Sequence, residues 1–435
     1  MNRPRAASRA RFSHMIDEIG FESAGVGMLL RFAVGNHRSV MEAVELSMIA
    51  VDDDRPATRG FERLSERVLT TAAIYGANAS GKSNVLQALA WLADAVDQSL
   101  RQREGFLPRQ PFRFGAGPSS ASTYEVEMMV GGIRHTYAVQ CDDSSIVSES
   151  LFSYPERRRR LLFEREGMAL SFRRGLTVFS AARELMTPTT LALSAALRFD
   201  DAEVGPFGRA LAGIGALNFP RRVLPSRAAR DTSEFATRDL FVLADREPLH
   251  DPDARRIALG LLRLADLGVD DVEVVRERSG SRLQLVHHAA GERVAFELDE
   301  ESEGTRTWFA LIGPVLDALQ TGQILLFDEI DASLHPRLSG HLLALFQDEE
   351  TNPHGAQLIF TTHDTSLLGQ LNRDEVWLTE KGTDGATRLT ALAEYGGDKV
   401  RRSTNLERAY LQGRFGGLPQ IDEQALRQAL VRKGR

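Results

Sequence analysis

Residues 76 to 83 read Gly-Ala-Asn-Ala-Ser-Gly-Lys-Ser, which matches the phosphate-binding pattern G-x-x-x-x-G-K-[ST]. An apolar run from 68 to 75 precedes this stretch and an amphipathic run beginning at Val85 follows it, so the motif joins a predicted strand to a predicted helix. Gly76 and Gly81 permit backbone angles at which successive N–H groups converge on phosphate oxygens. The sequence therefore predicts a binding site for a nucleoside triphosphate.

Two side chains of this loop have specific predicted roles. Lys82 is expected to reach the β and γ oxygens as a point charge, and Ser83 to offer its hydroxyl to Mg²⁺. The helix that begins near Lys82 presents its positive end to the same anion. The predicted nucleotide-binding residues of the loop are Gly76, Ala77, Asn78, Ala79, Ser80, Gly81, Lys82, Ser83 and Asn84.

A pair of carboxylates could complete the chemistry of this site. The apolar run 324–327 ends in Asp328 and Glu329. A buried strand would deliver Asp328 to the Mg²⁺ shell, generally through water, and Glu329 is placed to polarise the water that attacks the γ-phosphate. The predicted metal ligands are Ser83 and Asp328, and the predicted catalytic residues include Lys82 and Glu329.

His363 ends another apolar run, in Leu-Ile-Phe-Thr-Thr-His-Asp. This position suits an imidazole that touches the γ-phosphate and senses its loss, whereas the alternative is an ordinary structural hydrogen bond at a strand end. The spacing of 35 residues from Asp328 spans one helix and one strand. That spacing favours the catalytic role for His363.

Ser302 stands immediately before a predicted helix that contains Trp308, Leu311 and Ile312. Ser302 and the backbone amides near Gly304 are candidates to bind a phosphate at the start of that helix. The alternative is a plain N-cap serine, which requires no ligand.

The elements that must position these motifs predict an α/β protein. From Thr305 onward the pattern alternates between helices and buried strands, which is typical of a largely parallel sheet covered on both faces. Alternating apolar and polar residues from about 112 to 179 predict an antiparallel sheet. The segments 181–217 and 253–267 are predicted to be helical.

Net charge, cysteine content and the length of apolar runs limit the kinds of partner and location that this chain is expected to have. A net charge of −7 does not suggest a generic binder of polyanions. The run 157–160 consists of four arginines between strands, and we interpret it as a solvated hairpin tip, with a nucleic-acid or partner contact as the alternative. The single cysteine, Cys141, excludes an intramolecular disulfide framework and favours a buried residue in a reducing cytoplasm. No apolar run reaches the roughly 20 residues that span a bilayer.

In this order, the phosphate loop, the Ser-x-Gly-Thr motif at 302–305, the Asp-Glu pair and His363 resemble an ABC-type ATPase head of the RecF, SMC and OLD (overcoming lysogenisation defect) branch. The chain is similar above all to bacterial stand-alone "AAA family" ATP-binding proteins that accompany anti-phage and abortive-infection systems. The resemblance extends from Met28 to about Ile421. It rests on Leu-Leu-Arg-Phe-x-Val-x-Asn-x-Arg-Ser (29–39), the phosphate loop, Pro111-Phe-x-Phe, Glu301-Ser-x-Gly-Thr, Asp328-Glu-Ile-Asp-x-Ser-Leu-His-Pro, Thr361-Thr-His-Asp and Tyr410-Leu-Gln-Gly-Arg-Phe-Gly-Gly-Leu-Pro.

Together with the pattern of elements, the resemblance implies a P-loop NTPase fold. It would be an ABC-ATPase-like head with a mostly parallel central sheet, an antiparallel β lobe and an inserted helical region. The expected divisions are a flexible N-terminal extension (1–27), the first part of the ATPase core (28–100), the antiparallel β lobe (101–183), the helical insertion (184–270), the second part of the ATPase core (271–400) and a C-terminal tail (401–435).

The resemblance also implies a homodimer in which two heads enclose two ATP molecules. Ser302, Gly304 and Thr305 of one protomer would close on the γ-phosphate held by Lys82 of the other, and Asp331 would couple the two sites. This chain has Glu303-Gly304 where transporters have Gly-Gly, which argues against a transporter head. The glutamine that links the nucleotide to the inserted lobe in such proteins has one candidate here, Gln110. His37 stands where relatives often have phenylalanine, which leaves the role of its turn open.

Two functions follow from these residues. The first is an ATP-hydrolysing, Mg²⁺-dependent dimer in the cytoplasm that regulates a separately encoded effector, a nuclease or toxin, in phage defence or DNA maintenance. The second is a nucleotide-clamped scaffold with slow turnover. Glu329 and His363 favour the first, because a clamp needs neither a base nor a γ-phosphate sensor. Whether DNA or RNA is bound stays open, and no membrane role is expected.

Overall fold

The computed structural model describes residues 27–52, 55–101, 108–219, 237–238, 240–241, 252–265, 268–277, 280–395 and 406–415. The predicted N-terminal extension lies outside the described residues except for Gly27, with which the first strand begins. Most of the predicted C-terminal tail and the basic segment 221–230 also lie outside them.

The described elements comprise strands and helices of very different lengths. The strands are β1 (Gly27–Gly35), β2 (Val44–Ser47), β3 (Thr58–Arg59), β4 (Val68–Leu69), β5 (Thr71–Gly76), β6 (Ser122–Val130), β7 (Ile133–Cys141), β8 (Ile146–Ser153), β9 (Arg160–Glu166), β10 (Ala169–Phe172), β11 (Gly215–Leu217), β12 (Val269–Glu277), β13 (Gly280–Ala289), β14 (Glu292–Glu297), β15 (Ile324–Phe327), β16 (Gln357–Thr361), β17 (Val376–Lys381) and β18 (Thr387–Ala391). The α-helices are α1 (Lys82–Gln98), α2 (Val178–Leu185), α3 (Ala192–Ala196), α4 (Gly205–Ala212), α5 (Pro252–Ala265), α6 (Glu303–Thr321), α7 (Ile330–Ser333), α8 (Pro336–Gln347) and α9 (Leu406–Leu411).

The central sheet has the strand order β11-β15-β16-β5-β17-β18. Its first five strands run parallel, and β18 joins the edge antiparallel to β17. Every residue of β5, β15 and β16 is buried, as expected of parallel strands covered on both faces. The predicted, mostly parallel central sheet is confirmed.

The side chains of each central strand are divided between two separate apolar clusters. In β15, Ile324 and Leu326 belong to one cluster, while Leu325 and Phe327 belong to the other. Successive side chains of a strand point to opposite faces, so the two clusters lie on the two faces of the sheet. The continuous apolar runs in the sequence are therefore a consequence of burial on both sides.

A seven-stranded antiparallel sheet has the order β10-β9-β8-β7-β6-β1-β2. Strands β6 to β10 are the predicted antiparallel lobe. Within the segment predicted as the first part of the ATPase core, β1 and β2 join this sheet instead of the parallel one, because β1 pairs with β6 along its whole length. Cys141, in β7, is buried as predicted, and burial raises the pKa of its thiol to about 12.

The segment predicted as a helical insertion (184–270) contributes helices α3 to α5, the last two residues of α2 and one whole strand. Strand β11 lies within it and pairs in parallel with β15 at the edge of the central sheet. A strand of three residues is too short to show a period of two, which explains why the sequence predicted only helix here. Strands β12, β13 and β14 form a separate antiparallel sheet. Among the described helices, none has the length and apolar content needed to cross a membrane.

Candidate nucleotide-binding site

The phosphate loop lies between the carboxyl end of β5 and the amino end of α1. Gly81 directly precedes the first helical residue, Lys82, and has a φ of 106°. Side chains are strained at such positive φ values, so glycine is the residue suited to this position. The strand-loop-helix arrangement predicted for residues 76 to 83 is the one observed.

Threonines from the neighbouring strands pack directly against the loop. A Cβ added at Gly76 would lie 2.3 Å from Thr379 Oγ1, and one added at Gly81 would lie 2.1 Å from Thr387 Oγ1. The same hydroxyls hold the loop, since Ser80 Oγ bonds Thr379 Oγ1 over 2.6 Å and Thr387 Oγ1 donates to the Ser80 carbonyl over 2.7 Å. Gly76 and Gly81 are therefore required both by their positive φ values and by the close approach of the two threonine side chains.

A turn near the N-terminus is also tied to the loop. Ser39 Oγ bonds Thr387 Oγ1 over 2.7 Å and accepts from Asn84 Nδ2 over 2.5 Å. The Ser39 carbonyl accepts from the Thr387 N–H over 2.7 Å. The turn at 36–39, whose role the sequence left open, is therefore joined to the first turn of α1 by a hydrogen bond. Gln110 contacts this turn through its backbone carbonyl, which accepts from the Arg38 N–H over 2.6 Å.

Lys82 is almost fully buried within the loop. Its Nζ donates to the carbonyls of Gly76 over 3.0 Å and Ala77 over 3.3 Å. Burial lowers the pKa of Lys82, and the negative charges of Glu329, Asp331 and Asp328 oppose that shift. The structure therefore brings the lysine of the loop within electrostatic range of the carboxylates that follow β15.

Asp328 and Glu329 follow β15 directly. The Asp328 N–H donates to the Leu217 carbonyl over 3.1 Å, and its carboxylate accepts from Thr361 Oγ1 over 2.7 Å. The Glu329 N–H donates to the same Thr361 hydroxyl over 2.7 Å, and Glu329 has a φ of 52°. Asp328 is buried and Glu329 is exposed, so one carboxylate is fixed by the fold while the other faces solvent.

His363 follows β16, the strand between β15 and β5. Its backbone N–H donates to the Asp331 carboxylate, with distances of 3.1 Å to Oδ1 and 3.2 Å to Oδ2. Burial lowers the pKa of His363, Lys82 lowers it further, and Asp331 and Glu329 oppose the shift. Because Lys82 and Glu329 act on this imidazole, His363 lies in the same constellation, and its neutral form is favoured.

Ser302 is the N-cap of α6. The Thr305 N–H donates to Ser302 Oγ over 3.1 Å, and the two hydroxyls are 2.8 Å apart. Gly304 is exposed, and a Cβ added there would lie 3.8 Å from Ser302 Oγ. Among the residues that the structure describes, Ser302 has no hydrogen bond to the phosphate loop of its own chain. Ser302 therefore caps α6, as one of the two interpretations predicted. A phosphate contact by Ser302, Gly304 and Thr305 stays a prediction.

The sequence assigned no role to the residues that support this site, which are Ser39, Thr361, Thr379 and Thr387. Two of them, Ser39 and Thr361, nevertheless belong to motifs that carry the resemblance. A signal existed for Thr361, which lies two residues before His363 at the end of a buried strand. Thr379 and Thr387 gave no local signal, because their importance depends on the register of β17 against β5 and β18.

The donor set fits a nucleotide with Mg²⁺. Within the described parts of the chain, no group of three or more His, Cys, Asp or Glu side chains could hold a metal by itself. Mg²⁺ commonly takes one or two carboxylates and completes its shell with water and substrate phosphates. Asp328 and the predicted ligand Ser83 would supply the protein ligands in that mode, and water and phosphate oxygens would supply the others.

The sequence matches a known family over residues 72–369, a span that begins in β5 and ends just after His363. The family is described as "AAA domain, putative AbiEii toxin, Type IV TA system". The chain belongs to this family. The match confirms the predicted relationship to AAA-type ATP-binding proteins and the predicted P-loop NTPase fold.

Solved structures of SMC head domains are similar to this AAA-family chain. A SmcHead bound to the C-winged helix domain of ScpA has 13% identity and a TM-score of 0.45, covering 83% of this chain and 97% of that one. The SMC head domain from Thermotoga maritima has 12% identity and a TM-score of 0.40, with 83% and 98% covered. The Smc head from Pyrococcus furiosus, bound to the C-terminal domain of ScpA, has 14% identity and a TM-score of 0.40, with 85% and 97% covered. No protein with a curated description matches the chain significantly.

Proposed function

We propose that this AAA-family protein is a Mg²⁺-dependent ATPase that closes as an ATP-bound homodimer and regulates a separately encoded effector, a nuclease or toxin, in phage defence or DNA maintenance. The observation that carries the proposal is the convergence of Lys82, Asp328, Glu329 and His363 at the carboxyl ends of three parallel strands. Ligands of open α/β sheets bind at that edge.

Each residue has a distinct task in this proposal. Lys82 binds the β and γ oxygens, exchanging its contacts with the Gly76 and Ala77 carbonyls for phosphate. Asp328 and Ser83 would hold Mg²⁺, which supplies positive charge to the phosphates when it is bound. Glu329 accepts the proton of the attacking water, and the neutral imidazole of His363 contacts the γ-phosphate.

Closure of the dimer would add residues that a single chain leaves solvent-exposed. Ser302 and Gly304 are exposed at the amino end of α6, where the helix dipole favours an anion. In the proposed dimer this end meets the γ-phosphate bound by the partner protomer. ATP then stabilises the closed state, and hydrolysis removes that stabilisation.

The description of the family supports a role in a type IV toxin–antitoxin system, and it applies the words "putative AbiEii toxin" to the family itself. The separately encoded effector is our proposal for what a switching ATPase would control in such a system. A cytoplasmic location is part of the proposal, with the buried thiol of Cys141 as its support. DNA is a second candidate ligand, for which the exposed arginines at 157–160 are the observation.

The decisive experiment measures steady-state phosphate release from ATP. Lys82→Ala and Glu329→Gln are each expected to lower the rate at least about 100-fold. The exposed residues Lys381 and Glu164 provide matched controls, Lys381→Ala and Glu164→Gln, which should leave the rate unchanged. If the wild-type protein binds ATP but releases phosphate no faster than Lys82→Ala does, the result would instead support the nucleotide-clamped scaffold with slow turnover.

Dimer formation and the effector require separate measurements. Glu329→Gln should accumulate an ATP-bound dimer during size-exclusion chromatography, since it would bind ATP without hydrolysing it. A monomer that persists with ATP would contradict the proposed closure. Proteins that co-purify with the tagged Glu329→Gln variant in ATP, and are absent with Lys82→Ala, are the candidates for the effector.

A further inference from the structure

One hydroxyl connects both members of the carboxylate pair. Thr361, the last residue of β16, donates to Asp328 Oδ1 over 2.7 Å and accepts from the Glu329 backbone N–H over 2.7 Å. The side chain of Thr361 is fully buried. A threonine hydroxyl has one proton to donate and two lone pairs to accept, so these two bonds fix the direction of its proton.

The backbone of Glu329 depends on such support. Its φ of 52° lies in the left-handed region, which residues other than glycine adopt only where the surroundings impose it. The Glu329 N–H has its acceptor in Thr361 Oγ1. This bond supports the backbone conformation in which the side chain of Glu329 is exposed to solvent.

The other hydrogen bonds of Asp328 that the structure describes involve its backbone. The Asp328 N–H donates to the Leu217 carbonyl over 3.1 Å, and the Asp328 carbonyl accepts from Asn218 Nδ2 over 2.7 Å. Both bonds restrain the backbone of Asp328 from the β11 side. The bond from Thr361 reaches the Asp328 carboxylate itself, from the β16 side.

We infer that Thr361 is a positioning residue for ATP hydrolysis, which orients the Asp328 carboxylate and fixes the backbone from which Glu329 reaches the attacking water. The inference rests on the proposed function, because it assigns Thr361 a task within that reaction. The hydroxyl acts through the two carboxylates and does not itself contact the nucleotide.

The primary test is the variant Thr361→Val, which preserves the shape of the side chain and removes the hydroxyl. We expect kcat to fall about 30- to 100-fold, as small misplacements of catalytic groups do. The Kd of a non-hydrolysable ATP analogue should stay within about threefold of wild type, because the phosphate loop is untouched. Thr361→Ser restores the hydroxyl and should recover kcat to within about threefold of wild type.

Two comparisons separate positioning from a loss of stability. Thr70→Val removes another buried hydroxyl, which bonds the Ala57 carbonyl over 3.2 Å near the opposite end of β5; this variant should keep the wild-type kcat. In a Glu329→Gln background, Thr361→Val should lower kcat by a smaller factor than it does in wild type, because the part of its effect that passes through Glu329 is already lost.

The outcomes distinguish this inference from the proposed function. If wild type hydrolyses ATP and Thr361→Val matches it, the positioning role is overturned while the ATPase stands. The role is also overturned if Thr361→Val loses affinity for the ATP analogue as strongly as it loses kcat, or if Thr361→Ser fails to recover activity. If wild type binds but does not hydrolyse ATP, the proposed function fails, and the inference fails with it.

Discussion

The side-chain amide of Gln357 pairs with the backbone of Leu29 as a neighbouring strand would. Gln357 Oε1 accepts from the Leu29 N–H over 2.6 Å, and Nε2 donates to the Leu29 carbonyl over 3.0 Å and to the Leu69 carbonyl over 2.8 Å. Strand β2 covers β1 only from Arg31 onward, so Leu29 has no strand partner on that side. One buried amide thereby joins the antiparallel sheet to the strand that ends before His363.

Gln357→Leu should therefore lower the stability of the whole chain. The substitution leaves the buried N–H and carbonyl of Leu29 and the carbonyl of Leu69 without partners, and each such group costs about 1–3 kcal/mol. We expect the free energy of unfolding in urea to fall by about 3 kcal/mol or more. The exposed residue Gln412 supplies the control, and Gln412→Leu should change it by less than about 0.5 kcal/mol. Equal effects of the two variants would contradict the role of the amide.

The residues proposed to bind nucleotide and to react were predictable from the sequence because they belong to contiguous motifs. Gly76, Gly81 and Lys82 define the geometry of the phosphate loop by their spacing, and Asp328 and His363 each end a run of buried residues. Parallel strands place their carboxyl ends at one edge, so the pattern of elements alone predicts that these motifs meet. That expectation agrees with the electrostatic coupling of Lys82 to Glu329 and His363.

The supporting contacts could not be predicted, because they join residues far apart in sequence. Ser80 and Thr379 are 299 positions apart, and Ser39 and Thr387 are 348 apart. Which threonine faces the loop depends on strand register, and a shift by one residue would turn it to the other face. For the same reason the sequence did not predict that β1 and β2 join the antiparallel sheet.

Gly81→Ala should disable nucleotide binding through a steric clash. The added Cβ would lie 2.1 Å from Thr387 Oγ1 and 2.8 Å from Ser39 Oγ, at a φ of 106°. Gly175 has a similar φ of 101°, and a Cβ added there would meet nothing within 4 Å, which makes Gly175→Ala a control for backbone strain alone. Calorimetry should show at least about tenfold weaker binding of an ATP analogue for Gly81→Ala.

The control variant has its own expected result. Gly175→Ala should cost about 1–2 kcal/mol of stability, the usual penalty of a left-handed residue, and leave the affinity for the analogue unchanged. Should both variants bind the analogue equally well, the packing of Thr387 against the loop would have no part in nucleotide binding.

Ser302→Asp separates the capping role of Ser302 from the proposed contact across the dimer. Aspartate caps helices as well as serine does, so the melting temperature should stay near that of wild type. In the closed dimer the new carboxylate would face the partner's γ-phosphate, and this like-charge contact should lower the rate of phosphate release at least about tenfold. Binding of ATP to the monomer should be unaffected.

Ser302→Ala completes this comparison, since it removes both the cap and the phosphate contact. The loss of the Thr305 N–H bond to Ser302 Oγ should cost about 1 kcal/mol of stability. Wild-type rates for Ser302→Asp would show that Ser302 only caps its helix, and the predicted contacts of Gly304 and Thr305 across the dimer would lose their support.

His37 should make the stability of the fold depend on pH. The ring is buried, its Nδ1 bonds the Tyr124 hydroxyl over 3.0 Å, and burial together with the charge of Arg38 lowers its pKa from 6.5 to about 3. The unfolded chain binds a proton near pH 6.5 and the folded chain does not. The contribution of His37 is therefore complete above pH 6.5 and is lost as the pH falls toward 3, by up to about 1.4 kcal/mol per pH unit.

His37→Phe removes this titration and keeps an aromatic ring beside Tyr124. Between pH 7.5 and pH 5 the free energy of unfolding of wild type should fall by about 2 kcal/mol more than that of the variant. Urea denaturation of both proteins across this range measures the difference directly. A difference that does not change with pH would mean that the pKa of His37 is the same in the folded and the unfolded chain, which would contradict the expected effect of its burial.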